Sequence, residues 1–165
     1  MEKINLNNYL KSICDVDEPG LTLILSQMTR QAHYQKNNII YKKGETPKHL
    51  SFIETGNAIA LSQSSANRQV LRIWTTNQLI CPPGFFSHES CNQNIIALDD
   101  CQISKLTYNT LYRFLNDFPQ AYSILNSILR IEIAATELNI KSISQNNYSN
   151  NLDALLDALS IKIEG

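Results

Sequence analysis

The chain has 165 residues, 43% of them hydrophobic and 18% charged, enough to bury one sizeable core without metal or disulfide staples. Its formal net charge of −1 excludes a whole-chain attraction to nucleic acid or to an anionic membrane surface. No apolar run is long enough to span a bilayer, and the opening MEKINLNNYLKSICDVDE is too polar for a secretory signal. A cytoplasmic protein is expected, with Cys14, Cys81, Cys91 and Cys101 kept as reduced thiols.

Helical spacing opens the chain. Ile4, Leu6, Tyr9, Leu10 and Ile13 share one face, and Asp17-Glu18-Pro19 starts a second helix carrying Leu21, Leu25 and Met28, so the first 32 residues read as helical. From Tyr34 to about Thr107 the pattern changes to short runs rich in β-branched and aromatic residues. Gly44, Pro47, Gly56, Asn77 and Pro82-Pro83-Gly84 punctuate them. Strands are expected at 38–41, 50–54, 58–63, 70–75, 79–81, 95–98 and 102–106. The loops between them are too short for crossover helices, which favours antiparallel pairing.

Beyond Thr107 helical spacing returns. Leu111, Phe114, Leu115 and Phe118 lie on one side of a helix that Pro119 interrupts, and a longer helix is predicted from Pro119 to about Ser142. In it Ile124, Ile128, Ile131, Ala135 and Leu138 step by four, three, four and three residues, the seam spacing of a coiled coil. Leu125, Leu129, Ile133 and Ile140 form a second apolar flank. One narrow roll of strands cannot cover both faces, so a homodimer is expected with the first set at its interface. The polar run Ser144 to Asn151 reads as a linker, and Leu152, Leu155, Leu156 and Leu159 as one short helix.

The motifs gain specificity from their order. Gly44-Glu45 comes first, then Ile53-Glu54-Thr55-Gly56-Asn57-Ala58, then Ile96-Ala97-Leu98-Asp99-Asp100-Cys101-Gln102-Ile103, then Asp117-Phe118-Pro119. This order resembles the cyclic-nucleotide-binding domain of Crp/Fnr-type regulators, over roughly residues 5–145. The resemblance implies an α+β fold, mainly β. An antiparallel β-roll (a double-stranded β-helix or jelly roll) is flanked by N-terminal helices and a long C-terminal dimerisation helix. It places a sensor domain at 1–143, followed at 144–165 by a linker and helical stub with no counterpart of the family's winged helix-turn-helix. Gly56 has its own physical reason, because a tight turn between strands favours a residue that accepts positive φ.

The resemblance also implies where a ligand would sit. Family members that bind cyclic nucleotides hold the cyclic phosphate with backbone N–H groups and an arginine, whose forked, permanently charged donor suits phosphate; a glutamate takes the ribose. The corresponding region is Leu79 to Asn94, LICPPGFFSHESCNQN, and no arginine occurs from Ile73 to Tyr112. The family arginine falls near Cys91 or Asn92, Glu89 lies too close to that point to match the glutamate, and Pro82 and Pro83 remove two N–H donors. A lone His88 is a poor substitute near neutral pH. Cyclic AMP in the usual mode is therefore not expected. The pocket candidates are Gly84, Phe85, Phe86, Ser87, His88, Glu89, Cys91 and Asn92. Three readings of them stay open: Gly84, Ser87 and nearby N–H groups bind a different anion, Phe85 and Phe86 favour an apolar ligand, or those rings fill the roll.

Other chemistry finds little support. Cys81, His88, Cys91 and Cys101 match no standard zinc spacing, and no P-loop, dinucleotide fingerprint or nucleophile elbow occurs in a suitable context. No metal, cofactor or enzymatic activity is expected. From Asn146 onward Lys162 stands alone against Asp153, Asp157 and Glu164, a balance that repels DNA phosphate. The expectation is a homodimeric regulator acting in transcription or signalling through a small-molecule effector or a protein partner, without direct contact to nucleic acid or membrane. The alternative is a ligand-free module that heterodimerises with full-length regulators. A solvent-accessible cavity at Gly84, Phe85, Ser87 and His88 favours the first, and a cavity filled by Phe85 and Phe86 the second.

Overall fold

A computed structural model describes residues 6–14, 19–63 and 68–145. Two short helices, α1 (Leu6–Ile13) and α2 (Pro19–Gln27), precede the strands. Proline suits the start of α2, where its missing N–H would lack a helical partner in any case. Leu6 and Leu10 of α1, with Leu21 and Leu25 of α2, are buried together, so each helix is held by packing that neither could supply alone.

Eight strands follow: β1 (Arg30–Tyr34), β2 (Ile39–Tyr41), β3 (His49–Thr55), β4 (Ala58–Gln63), β5 (Arg68–Trp74), β6 (Leu79–Ile80), β7 (Asn94–Ala97) and β8 (Cys101–Thr107). Among the described residues they form two four-stranded antiparallel sheets, in the orders β1-β8-β3-β6 and β2-β7-β4-β5. The inner faces meet in a buried, mainly apolar layer that includes Ile53, Ala58, Ala60, Trp74, Ile80, Ile95, Ala97, Cys101 and Ile103. On β3 the period of two sends Leu50 and Phe52 toward the helices, and Ile53 turns into the roll just before a register shift.

The first strand corrects the expectation of helix through residue 32. RQAHY has no apolar alternation and is largely exposed, so its own sequence gives little strand signal. Its partner decides the matter: β8 offers backbone groups that β1 satisfies from Arg30↔Lys105 to Tyr34↔Cys101. Gln31 adds a bond from Nε2 to Ser104 Oγ at 2.8 Å, and the Lys105 ammonium lies 4.8 Å from the centroid of the Tyr34 ring.

After β8 the chain turns directly into α3 (Tyr108–Asp117), whose first turn is capped by Thr107 Oγ1 accepting from the Thr110 N–H at 3.2 Å. Pro119 forces the break that its position predicts. Phe118 is extended at φ −130° and ψ 81°, and a single 3-10 turn (Pro119–Ala121) leads into α4 (Tyr122–Gln145). The proposed seam on α4 divides. Ile124 and Ile128 are 2% and 3% exposed and belong to the chain's own core with α1, α3 and Phe85, so they are not available to a partner helix. Beyond them α4 leaves that core: Ile131 is 37% exposed, Ile133 is 59% exposed and Ala135 is half-buried. The side chain of Leu138 lies outside the described residues, as does the predicted linker and stub apart from Ser144 and Gln145, which end α4.

One half-buried histidine makes the roll sensitive to acid. The His49 ring stacks on Tyr41 at 4.9 Å, while the Tyr41 hydroxyl donates to the His49 carbonyl at 2.9 Å. Burial, assisted by the Lys105 ammonium, pushes the His49 pKa from 6.5 down to about 4. Above pH 6.5 the ring is neutral whether the chain is folded or unfolded. Between 6.5 and about 4 the unfolded chain takes a proton that the folded chain refuses, so stability falls with pH across that window and levels off below it. Urea midpoints measured against pH should be flatter in His49→Gln than in the parent over this interval; equal slopes would remove His49 as the cause.

Candidate ligand-binding cleft

The loop after β6 is shaped by its prolines and one glycine. Pro83 takes the second position of a turn that closes through Phe85 N–H to Pro82 O at 3.2 Å, where its fixed φ fits, and the chain turns again through Glu89 N–H to Gly84 O at 3.1 Å. Gly84 adopts φ +91°, and an added Cβ there would collide with the Glu89 carbonyl, so the turn requires glycine. Phe85 is fully buried, with its ring edge-on to Phe86 at 4.9 Å and to Tyr108 at 5.6 Å. Tyr108 is the first residue of α3 and stacks on Tyr112 of the same helix at 4.2 Å, so the Phe85–Tyr108 contact ties the loop to α3.

Between this loop, β5 and α4 lies a cleft of about 510 Å³, within the usual size range for small ligands. Its apolar wall includes Leu71, Phe85, Phe86 and Leu129. Its charged feature is a fork. Arg72 of β5 donates to both carboxylate oxygens of Glu132 on α4, at 2.7 and 3.2 Å, forming the one salt bridge among the described residues. The same guanidinium lies 4.8 Å from the centroid of the Trp74 ring. Trp74 is 2% exposed, and its indole N–H has no hydrogen-bond partner. Burial pushes the Cys81 thiol up to about 12, with Glu132 adding and Arg72 opposing, so the thiol stays protonated and unreactive at neutral pH.

Five of the eight predicted pocket residues border this cleft: Gly84, Phe85, Phe86, Ser87 and Asn92. Three do not. His88, at φ +58°, is exposed and sits against Tyr108 at 3.9 Å. Glu89 is exposed, and its carboxylate accepts from Ser87 Oγ at 3.4 Å. Cys91 is buried away from the cleft, where its thiol donates to Gln93 O at 3.1 Å and its backbone pairs with Gly44 and Glu45. Among the described residues no group of three or more His, Cys, Asp or Glu side chains is placed to hold a metal. Arg72, Trp74 and Glu132 were absent from the predicted site. The available signal was that Arg72 stands one position before the arginine-free stretch, on a strand leading into the loop. A second hollow, about 530 Å³, opens around Tyr41, Lys48 and His49 and shares no lining residue with the first.

The fold has close counterparts of known structure. A cyclic nucleotide-binding domain from Methylobacillus flagellatus superposes with a TM-score of 0.73 at 13% identity, covering 86% of this chain and 85% of that one. The c-di-GMP responsive global regulator CLP of Xanthomonas campestris gives 0.68 at 14% identity, covering 87% and 71%. Thermus thermophilus catabolite activator protein gives 0.65 at 12% identity; the match covers 79% of this chain and 62% of that protein's length. No curated protein matches the chain. The family model for the cyclic nucleotide-binding domain matches residues 31–118, from β1 through the end of α3, and with more than half its length matched the chain belongs to the cyclic nucleotide-binding domain family.

Proposed function

We propose that this domain is a homodimeric regulatory sensor whose effector is something other than cyclic AMP bound in the usual mode, and that it acts in the cytoplasm through a partner without touching DNA itself. The carrying observation is the cleft's charge. Its loop has no arginine, and the only cation among the described residues lining it is Arg72, which comes from β5 and is already neutralised by Glu132. Signal transfer has two material routes: the Phe85–Tyr108 contact couples the loop to α3, and the Arg72–Glu132 fork couples β5 to α4. The exposed Ile131 and Ile133 support a dimer through the outer part of α4. Among the described residues no helix is long and apolar enough to cross a membrane.

The ligand-free interaction module has weaker support, because an open cleft persists beside the buried Phe85. Titration of nucleotide-free protein with cyclic AMP in a calorimeter should give neither saturable heat nor thermal stabilisation. Sedimentation should give the mass of a dimer, and Ile133→Asp should give a folded monomer. Saturable cyclic AMP binding, or a monomeric parent, would overturn the corresponding part of the reading.

A further inference from the structure

We propose that Arg72 and Trp74 form the anion subsite of the cleft, built for a small organic acid with an apolar body whose charged end displaces Glu132. The inference rests on the sensor reading above and names the chemistry of its effector. Arg72 and Trp74 stand two apart on β5 and so share a face. Their partners on β4 are Ala60 and Ala58, both fully buried in the core between the sheets, so it is the Arg72 and Trp74 side chains, not the alanines, that border the cleft. The guanidinium already holds two carboxylate oxygens in a forked contact, so Glu132 acts as an internal stand-in for a ligand carboxylate or phosphate.

Trp74 supplies the independent sign of a missing partner. A buried N–H without an acceptor is rare and costly, and this one belongs to a residue that lines the cleft. A ligand oxygen on the indole N–H, a second on Arg72 and an apolar body against Phe86 and Leu129 would satisfy each surface with its proper chemistry. Displacement also has a consequence. Glu132 lies on α4 just past Ile128, where the helix leaves the core, and the fork is what ties that stretch to β5. An acid that takes over Arg72 releases it.

Trp74 is the chain's single tryptophan and therefore its own reporter. Benzoate and phenyl phosphate, at millimolar concentration, should each be tested for a saturable change in its fluorescence, with neutral benzamide as the control. A response to either anion and none to benzamide is expected, and the tighter of the two identifies carboxylate or phosphate as the preferred head. Glu132→Gln, which removes the internal competitor, should bind about fivefold tighter, the factor that corresponds to about 1 kcal/mol for a partly exposed ion pair. Arg72→Gln should bind roughly tenfold weaker or worse. Trp74→Phe, followed by calorimetry, should also weaken binding. No saturable change for either anion in both the parent and Glu132→Gln, or binding that Arg72→Gln leaves intact, overturns the subsite. Failure there leaves the sensor reading standing, whereas cyclic AMP binding in the usual mode would remove that reading whatever the small acids do.

Discussion

Replacing Phe85 with alanine is expected to lower the unfolding free energy by about 3–5 kcal/mol, the range for deleting a fully buried phenylalanine ring. Phe85 is 0% exposed and belongs to the cluster that joins Phe52 and Leu79 of the roll to α1, α3 and α4. Its edge-on contacts with Phe86 and Tyr108 add to the area it buries. The loop around it is fixed by two prolines and a positive-φ glycine, so it cannot easily collapse into the space left behind. Urea denaturation read by circular dichroism measures the loss. Phe85→Leu should cost much less, about 1–2 kcal/mol, because most of the volume is retained. Equal small losses for both variants would mean that the ring is not a core element, and the cleft would then be larger than its shape suggests.

How much of this could be read before the structure depends on what decides each element. The strand beginning at Ala58 was legible in detail because Gly56 marks its turn and the run that follows alternates into the roll. The break at Pro119 was legible for the same reason, since a missing N–H acts locally. The strand Arg30–Tyr34 was not, because its stability comes from the backbone of a partner some seventy residues away rather than from its own pattern. The stripe on α4 is a different case. A step of four and three residues states which side chains share a face and not what that face meets, and Ile124 and Ile128 meet the chain's own helices. At the cleft, the loop's lack of arginine was plain, whereas Gly84, Phe85 and Ser87 were only candidates beside a reading in which the phenylalanines fill the roll. The fork from Arg72 to Glu132 spans sixty positions and depends on the crossing of β5 and α4, which no local spacing encodes.

Gly56→Ala should destabilise the chain by about 3–5 kcal/mol, combining backbone strain with a forced fit. Gly56 adopts φ +108°, well outside the conformations that a residue with a Cβ takes readily. A Cβ built there would stand 2.7 Å from the Asp100 carbonyl oxygen, 2.7 Å from Cys101 Sγ and 3.0 Å from Asp99 Oδ1. Those atoms cannot simply move aside, because the two turns are stitched together. Asp99 accepts from the Asn57 N–H at 2.6 Å and from Asn57 Nδ2 at 2.8 Å, and Leu98 N–H donates to Asn57 O at 2.8 Å. Gly20→Ala is the internal contrast: in the first turn of α2, with nothing within 4 Å of the added Cβ, it should raise stability by about 0.4–1 kcal/mol. Cys101→Ala in the Gly56→Ala background should recover part of the loss, since it removes one colliding atom while the Asp100 carbonyl remains. Full recovery would assign the whole effect to the sulfur, and no recovery would assign it to the backbone conformation and the carbonyl alone.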